Sequence, residues 1–467
     1  MQGSWLKHIF ICLLTIITAF IIPASAHART DPGAFMQIDG YLQKELLKAH
    51  VPGMAIVIVN KDEVLFSNTY GDCDSLNMPF IIGSLSKSFT AIAIMQLAES
   101  NKIDINDYAF KYLPDLGVGS MIIIKHLLNQ TSGFTAYQRR NDLKIRDFRF
   151  IHLYEYANVN YDLLGEIIGT ISGMNYEDYI KKNIFAPIGM DHSYTSLEEA
   201  KNDRLIPGYR NYFGFPVPRE IKSFDRKGWI SVSGAYLISS ASDMGKYLQM
   251  YLNNGNGIIS AESVYTIFYN NVYDLLSSTY YGMGWTLNNN YREPVLGHSG
   301  LVENYMSYMF ILPQSDIGVV MLANTNDYFV SNNMINDIGE NLILQFTEDK
   351  PLEPNSKNYA VSHLLINLIY LTVILASAAP ILFLKKWIFR VKNMWRSKIM
   401  LKGALLHIII PTLLLFMFSF FGAPFFAIRR FVPDLYLVLI ISAALLYVTG
   451  IVKIAFLIKI TSKTEVL

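Results

Sequence analysis

The tetrapeptide Ser84-Leu85-Ser86-Lys87 follows a Gly-punctuated turn, Ile81-Ile82-Gly83, and leads into an apolar-periodic segment, Ser88 to Leu97, that reads as a helix. Positions three apart share a helix face, so the Lys87 amine lies over the Ser84 hydroxyl at the positive helix N-terminus. An amine so placed turns a weak hydroxyl into a nucleophile. An N-cap serine followed by a solvated lysine has the same spacing, so partners must decide. Two other segments supply them. Tyr156-Ala157-Asn158 sits on a loop before the amphipathic stretch Tyr161 to Ile171. A Tyr156 phenol beside the Lys87 ammonium would have its anion stabilised, giving a base for Ser84 and then an acid for the leaving group. Gly297-His298-Ser299-Gly300 is expected at the start or along the edge of a strand, where glycine permits close backbone approach. The amides of Leu301 and Ser84 would then form an oxyanion hole, and His298 and Ser299 would hold a substrate carboxylate or amide.

These segments need strands and helices around them. Met54 to Val59 alternates and is β-rich, Asn60-Lys61-Asp62 turns, and Glu63 to Tyr70 returns, so a hairpin lies close before Ser84. Helix-type spacing dominates the middle, in Lys125 to Asn129, Tyr161 to Ile171, Tyr176 to Ile184 and Ser242 to Leu252. Strands return in Met306 to Leu312 and Ile317 to Ala323. Strands first and last with helices between predict an α+β fold: one antiparallel sheet flanked by helices, plus an all-helical lobe. The cleft between the two is the default site.

The chain has 467 residues, 52% hydrophobic and 16% charged, and a mean hydropathy of +0.26. That is too apolar for one soluble domain and indicates a membrane part beside a globular one. Lys7 and His8 precede an uncharged run, Ile9 to Ile22, followed by small-residue cleavage patterns up to Ala28, so residues 1–28 read as a secretory signal peptide. Residues 29–350 read as the exported globular domain and 351–360, with Pro351, Pro354, Asn355 and Ser356, as a linker. In 361–467, the runs Val361 to Leu384, Gly403 to Ile428 and Leu435 to Val452 are each long and apolar enough to span a bilayer. The connector carries Lys385, Lys386, Arg390, Lys392, Arg396, Lys398 and Lys402 without an acid, which places it and the C-terminus in the cytoplasm. Residue 360 then lies outside, in agreement with the signal peptide. The ionisable residues of the spans are few, chiefly His363, His407 and Lys453 near their ends, which gives poor support to a transport path, so the helices read as an anchor in membrane lipid.

A net charge of +1 and no basic stripe exclude nucleic acid as a partner class. Cys73 would be the single cysteine of a mature chain, so no internal disulfide is expected. No His, Cys or acid spacing suits a metal, and no cofactor is expected. The oligomeric state has no signature in the sequence.

Ser-x-x-Lys, Tyr-x-Asn and a His-x-Gly box, in this order, resemble the serine β-lactamase and penicillin-binding-protein superfamily, in its class C β-lactamase, D-aminopeptidase and esterase branch. Val51-Pro52-Gly53, Tyr112-Leu113-Pro114, Thr131-Ser132-Gly133, Leu163-Leu164-Gly165 and Tyr281-Gly282-Met283-Gly284-Trp285 extend the resemblance over most of the exported part. It implies Ser84 as the acylated nucleophile, Lys87 and Tyr156 as the base system and Asn158 as a ligand of the substrate amide. Signal, domain and three helices together resemble membrane-bound prodrug-activating peptidases of nonribosomal-peptide pathways, such as the colibactin-maturation peptidase, with Asn304-Tyr305 adding to the match and Asn304 a substrate-binding candidate.

This resemblance implies a bacterial, extracytoplasmic, membrane-tethered serine hydrolase, a peptidase or carboxypeptidase for a wall peptide or a secreted peptide precursor containing a D-amino acid. A penicillin-binding receptor, a wall-modifying esterase and a β-lactamase are the alternatives. Departures are informative: Gln130 stands where the branch commonly has His, Ile238 occupies a position suited to a polar specificity group, and His298 replaces a Lys, removing a permanent cation. Glu166, on the helix after Tyr156, is expected on a solvated face.

Overall fold

The computed structural model describes residues 32–116, 121–144, 151–222, 231–391, 396–420 and 423–464. The expected signal peptide, residues 1–28, lies outside them.

Helix α1 (Pro32–Lys48) precedes the hairpin β1 (Gly53–Val59) and β2 (Val64–Gly71). Short strands follow, β3 (Pro79–Ile81), β4 (Tyr209–Tyr212), β5 (Phe215–Pro218) and β6 (Ile238–Ser240), then the run β7 (Val272–Asp274), β8 (Thr279–Gly282), β9 (Trp285–Asn288), β10 (Val295–Leu301), β11 (Met306–Leu312), β12 (Ile317–Ala323) and β13 (Thr325–Asn326). The main sheet has the order β2-β1-β12-β11-β10-β9-β8-β7 and is antiparallel throughout. It is built from both ends of the domain, as the strand pattern predicts.

Both faces of the sheet are covered, which explains why β1 and β12 are apolar at nearly every position rather than alternating. Met54, Ile56 and Ile58 pack with α1 and with α5 (Ser331–Glu348), whereas Ala55, Val57 and Val59 face the helical lobe. That lobe contains α2 (Ser86–Glu99), α3 (Asn158–Ser172) and α4 (Ala241–Leu252). Helix α2 is apolar nearly all round and correspondingly buried from Ser86 to Met95. Its rigid seating is what holds Lys87 in place.

Among the described residues, three helices are long and apolar enough to cross a membrane: α6 (Tyr359–Leu382), α7 (Lys398–Phe420) and the segment Pro433–Lys459 of α9 (Pro433–Thr464). The second differs from the expected Gly403 to Ile428. Pro424, extended at φ −65 and ψ 151, caps a separate short helix, α8 (Phe425–Phe431), whose Arg429 and Arg430 have no place in a bilayer. Residues 423–431 therefore leave the span and lie on the globular domain.

The first span is anchored too. Of the expected linker, residues 351–360, the last two already belong to α6, and the rest is pinned by Asn355 and Lys357 to Asp337 at 2.7 and 2.6 Å. Asn211 Nδ2 donates to the Tyr359 hydroxyl at 2.7 Å, His363 Nε2 lies 2.8 Å from Asp327 Oδ2, and Asn367 Nδ2 donates to the Phe213 carbonyl. Within the spans, Lys453 Nζ stands 3.0 Å from His407 Nε2, so the two polar side chains satisfy one another.

Candidate active site

Ser84 occupies a single 3-10 turn, Gly83–Leu85, that runs directly into α2. Gly83 has φ +57, and a Cβ there would lie 2.5 Å from the Leu301 nitrogen; a Cβ on Gly300 would lie 2.3 Å from the Ile82 carbonyl oxygen and 3.1 Å from the Ser84 nitrogen. Only two glycines allow the turn and β10 this close. Ser307 Oγ donates to the Ile82 carbonyl at 2.7 Å and fixes the approach from β11. The amides of Ser84 and Leu301 are thus neighbours. Strand β10 pairs with β9 only through Gly297, so His298 to Leu301 have an open edge on that side.

Lys87 is fully buried and spends its three donor directions on Ser84 Oγ at 3.1 Å, Asn158 Oδ1 at 2.8 Å and the Gly234 carbonyl at 2.7 Å. Burial pushes its pKa down to about 7, against the opposing pull of the Asp162 carboxylate. The Asn158 and Gly234 oxygens can only accept. When Lys87 loses one proton, its two remaining N–H bonds stay on those oxygens and the lone pair points at Ser84. That is the geometry of a general base.

Tyr156 donates to Ser84 Oγ at 2.9 Å, and the Lys87 amine lies 4.9 Å from its ring centroid. Burial holds the phenol well above its ordinary pKa, only partly offset by the bond to Ser84. The expected phenolate base is therefore corrected: the desolvated amine gives up its charge first, and Tyr156 stays protonated as a donor and proton carrier. The phenol is positioned by Gln130, whose Oε1 accepts from the Ala157 amide at 3.0 Å and from Asn160 Nδ2 at 2.5 Å, with Gln130 itself at φ +58.

His298 lines the cleft but is buried. Its Nδ1 lies 2.5 Å from the Ser299 carbonyl oxygen, so Nδ1 carries the hydrogen and Nε2 faces the Tyr281 hydroxyl at 3.4 Å. Burial, with the Lys87 charge behind it, pushes its pKa down to about 4. It is neutral near pH 7 and cannot be the carboxylate-binding cation. Ser299 and Leu301 also line the cleft.

Asn304 does not reach the cleft. Its Oδ1 accepts from Arg210 Nε at 2.7 Å and its Nδ2 donates to the Arg219 carbonyl, so the fully buried side chain ties the β4–β5 hairpin to the domain. Glu166 is not merely solvated: Arg140 Nε reaches both its oxygens, at 3.0 and 2.9 Å. Ile238 is fully buried in β6, in the core.

Three contributors escaped the sequence reading. Asp162, one helical turn after Asn158, accepts from the Ser231 amide at 3.0 Å and the Ser231 hydroxyl at 2.5 Å; burial pushes its pKa up to about 6. The i, i+4 spacing from Asn158 was its one available signal. Gly234 supplies only a backbone oxygen, which no side-chain pattern reveals. The third is the membrane region itself. The cleft, of about 720 Å³, is walled on one side by Tyr154, Tyr156, Tyr281 and Thr286 and on the other by Phe418, Ala427, Ile428, Phe431 and Leu435. Arg430 holds that wall in place by pairing with Glu303, a buried carboxylate that also accepts from the Tyr236 hydroxyl at 3.0 Å, and Arg139 lies over the Phe426 ring at 5.0 Å. Among the described residues, no group of three or more His, Cys, Asp or Glu is arranged to hold a metal ion.

Comparison with known proteins agrees with this geometry. Residues 35–337 match the family model described as Beta-lactamase. The chain is 30% identical over 330 residues to Protein flp of Staphylococcus aureus (strain NCTC 8325 / PS 47), covering 63% of this chain and 64% of that protein. It is 31% identical over 247 residues to the putative penicillin-binding protein PbpX of Bacillus subtilis (strain 168), covering 49% and 60%. The chain thus spans less than two thirds of the length of these relatives. The octameric penicillin-binding protein homologue from Pyrococcus abyssi has a similar structure, with a TM-score of 0.58 at 27% identity over 68% of this chain and 78% of that one. With the family model covering more than half of its length, the chain belongs to the β-lactamase and penicillin-binding-protein family of serine hydrolases.

Proposed function

We propose that the protein is a membrane-tethered, extracytoplasmic hydrolase that works through an acyl-enzyme, a peptidase or amidase for a peptide containing a D-amino acid, from the wall or from a secreted precursor. The observation that carries this reading is the Ser84 hydroxyl held at once by the Lys87 amine and the Tyr156 phenol. Neutral Lys87 takes the Ser84 proton as Oγ attacks the carbonyl carbon, and the amides of Ser84 and Leu301 receive the oxyanion. The proton returns through Tyr156 to the leaving nitrogen, and water then releases the acyl group from Ser84 by the same route reversed.

Two features bear on the substrate. Among the described residues, the cleft lining contains no Lys or Arg, and His298 is neutral, so a substrate carboxylate finds no cation among them. This favours an internal amide over the terminal one that a carboxypeptidase cleaves. The wall from α7, α8 and α9 is apolar, which suits a substrate with an apolar group beside the scissile bond. The relatives named for penicillin binding support the wall-peptide class. The cation-rich connector between the first two spans supports an outward-facing cleft.

The test is intact mass against time for the purified full chain with an activated serine-reactive ester and with a β-lactam, using Ser84→Ala as control. A transient adduct on Ser84 is expected. A persistent one would favour a penicillin-binding receptor, and no adduct with either reagent would overturn both readings.

A further inference from the structure

The edge of the sheet beside the cleft carries an apolar surface that the proposed chemistry does not use. Between β7 and β8 the chain turns through Leu275 and Leu276, whose exposures are 80% and 98%. The turn is tightly built. The Leu276 amide and the Ser277 hydroxyl donate to the Asp274 carboxylate at 2.9 and 2.6 Å, and the Ser278 amide donates to the Asp274 carbonyl at 3.0 Å. Directly behind the tip, Tyr273 and Tyr280 pair across the strands with ring centroids 5.1 Å apart, both exposed. Aliphatic side chains at a fixed tip with phenols behind them match the order of environments in a lipid interface, acyl chains first and headgroups next.

Two observations set the height of this hairpin relative to the spans. Asp274, Ser277 and Thr279 line the same cleft as Phe418 and Leu435, which stand at the adjoining ends of α7 and α9. Tyr328 and Phe329, exposed and lining that cleft too, directly follow Asp327, which is bound to His363 just inside the start of α6. The domain-facing ends of α7 and α9, the Tyr328-Phe329 loop and the hairpin therefore border one cleft, and the start of α6 is bound beside that loop.

We infer that the β7–β8 hairpin is a membrane-inserting element: Leu275 and Leu276 enter the leaflet nearest the catalytic domain, with Tyr273, Tyr280, Tyr328 and Phe329 at its interface, and the cleft opens onto the lipid surface. The occupant is lipid rather than protein because the patch continues the apolar ends of the spans around the cleft mouth. Residues 272–280 contain no Lys or Arg, and their one acid, Asp274, is occupied within the turn. The inference rests on α6, α7 and α9 being membrane spans.

The test uses the full chain in phosphatidylcholine vesicles, with Cys12 and Cys73 replaced by Ser and a single environment-sensitive fluorophore on Leu276→Cys, on Leu368→Cys in the middle of α6, or on Asp62→Cys at the opposite edge of the sheet. The Leu276 label is expected to shift to the blue and to lose roughly half its emission to a shallow lipid nitroxide, more than to a deep one, as insertion by about 5–10 Å requires. The Leu368 label should be quenched best by the deep nitroxide and the Asp62 label by neither. Quenching at Leu368 without quenching at Leu276 would overturn the inserted hairpin and leave the spans standing. A blue-shifted but unquenched Leu276 label would mean a protein cover and would overturn it equally. No quenching at either position would remove the spans and the inference together.

Discussion

Replacing Asp162 with Asn should increase activity at low pH, the reverse of what most changes near a catalytic lysine do. Two opposing effects set Lys87: burial lowers its pKa and the Asp162 carboxylate raises it, with the balance at about 7. Asp162 titrates at about 6, raised by burial and held back by the Ser231 hydroxyl and amide. Above about 7 the amine is neutral, so acylation should rise with pH through that value and fall away below it. Both hydrogen bonds from Ser231 end on Asp162 Oδ1, which an asparagine retains, so the substitution deletes the charge and little else. A neighbouring opposite charge accounts for roughly one pKa unit, about 1.4 kcal/mol, and because Asp162 itself loses its charge near pH 6 the Lys87 limb should move down by about half of that. At about pH 6 Asp162 is itself about half protonated, so the neutral fraction of Lys87 rises from roughly one third to roughly one half and acylation becomes about one and a half times faster, while at about pH 9 the two proteins are equal. The assay is the acylation rate with an activated ester across this range. A limb that stays in place or moves upward would refute Lys87 as the base.

Gly300→Ala should slow acylation by about a hundredfold with the fold intact by circular dichroism, because the new Cβ collides with the Ile82 carbonyl and Ser307 Oγ, at 2.3 and 2.2 Å, and forces β10 from the Ser84 turn. Arg430→Met leaves the Glu303 carboxylate buried with less compensation, at a cost of about 2 kcal/mol, and should accelerate hydrogen exchange of residues 425–431 by roughly thirtyfold; adding Glu303→Gln should restore most of the protection. A reporter fused after Leu467 should be active only if it works in the cytoplasm, and an external signal would reverse the proposed orientation.

Much of the fold follows from local pattern. The strands at Met306–Leu312 and Ile317–Ala323 begin and end where their apolar runs, separated by Pro313 to Asp316, place them. Helices in the middle of the chain match to within a few residues, since Gly, Pro and Asn punctuate them. The second span was misjudged because hydropathy counts Phe425 to Ile428 as membrane-compatible, whereas Pro424 and the pairing of Arg430 with Glu303 send that segment to the catalytic domain. Asn304 was assigned to substrate from its place after the His box, yet its amide is taken by Arg210 and Arg219, partners 94 and 85 residues away.

The sequence alone brought the Ser84 hydroxyl and the Lys87 amine together, because the two are neighbours on one helical turn and need no distant partner to meet. It also determined the three apolar spans, since bilayer thickness sets their length directly. Tertiary structure decided the protonation states, which depend on desolvation: with Lys87 enclosed by Asn158, Gly234 and Ser84 and with Tyr156 buried beside it, burial lowers the pKa of the amine and raises that of the phenol. Tertiary structure also decided the company of the cleft. An apolar wall made of Phe418 and of residues between Ala423 and Leu435 beside Ser84 is a contact between segments more than 330 residues apart, and no local pattern encodes it.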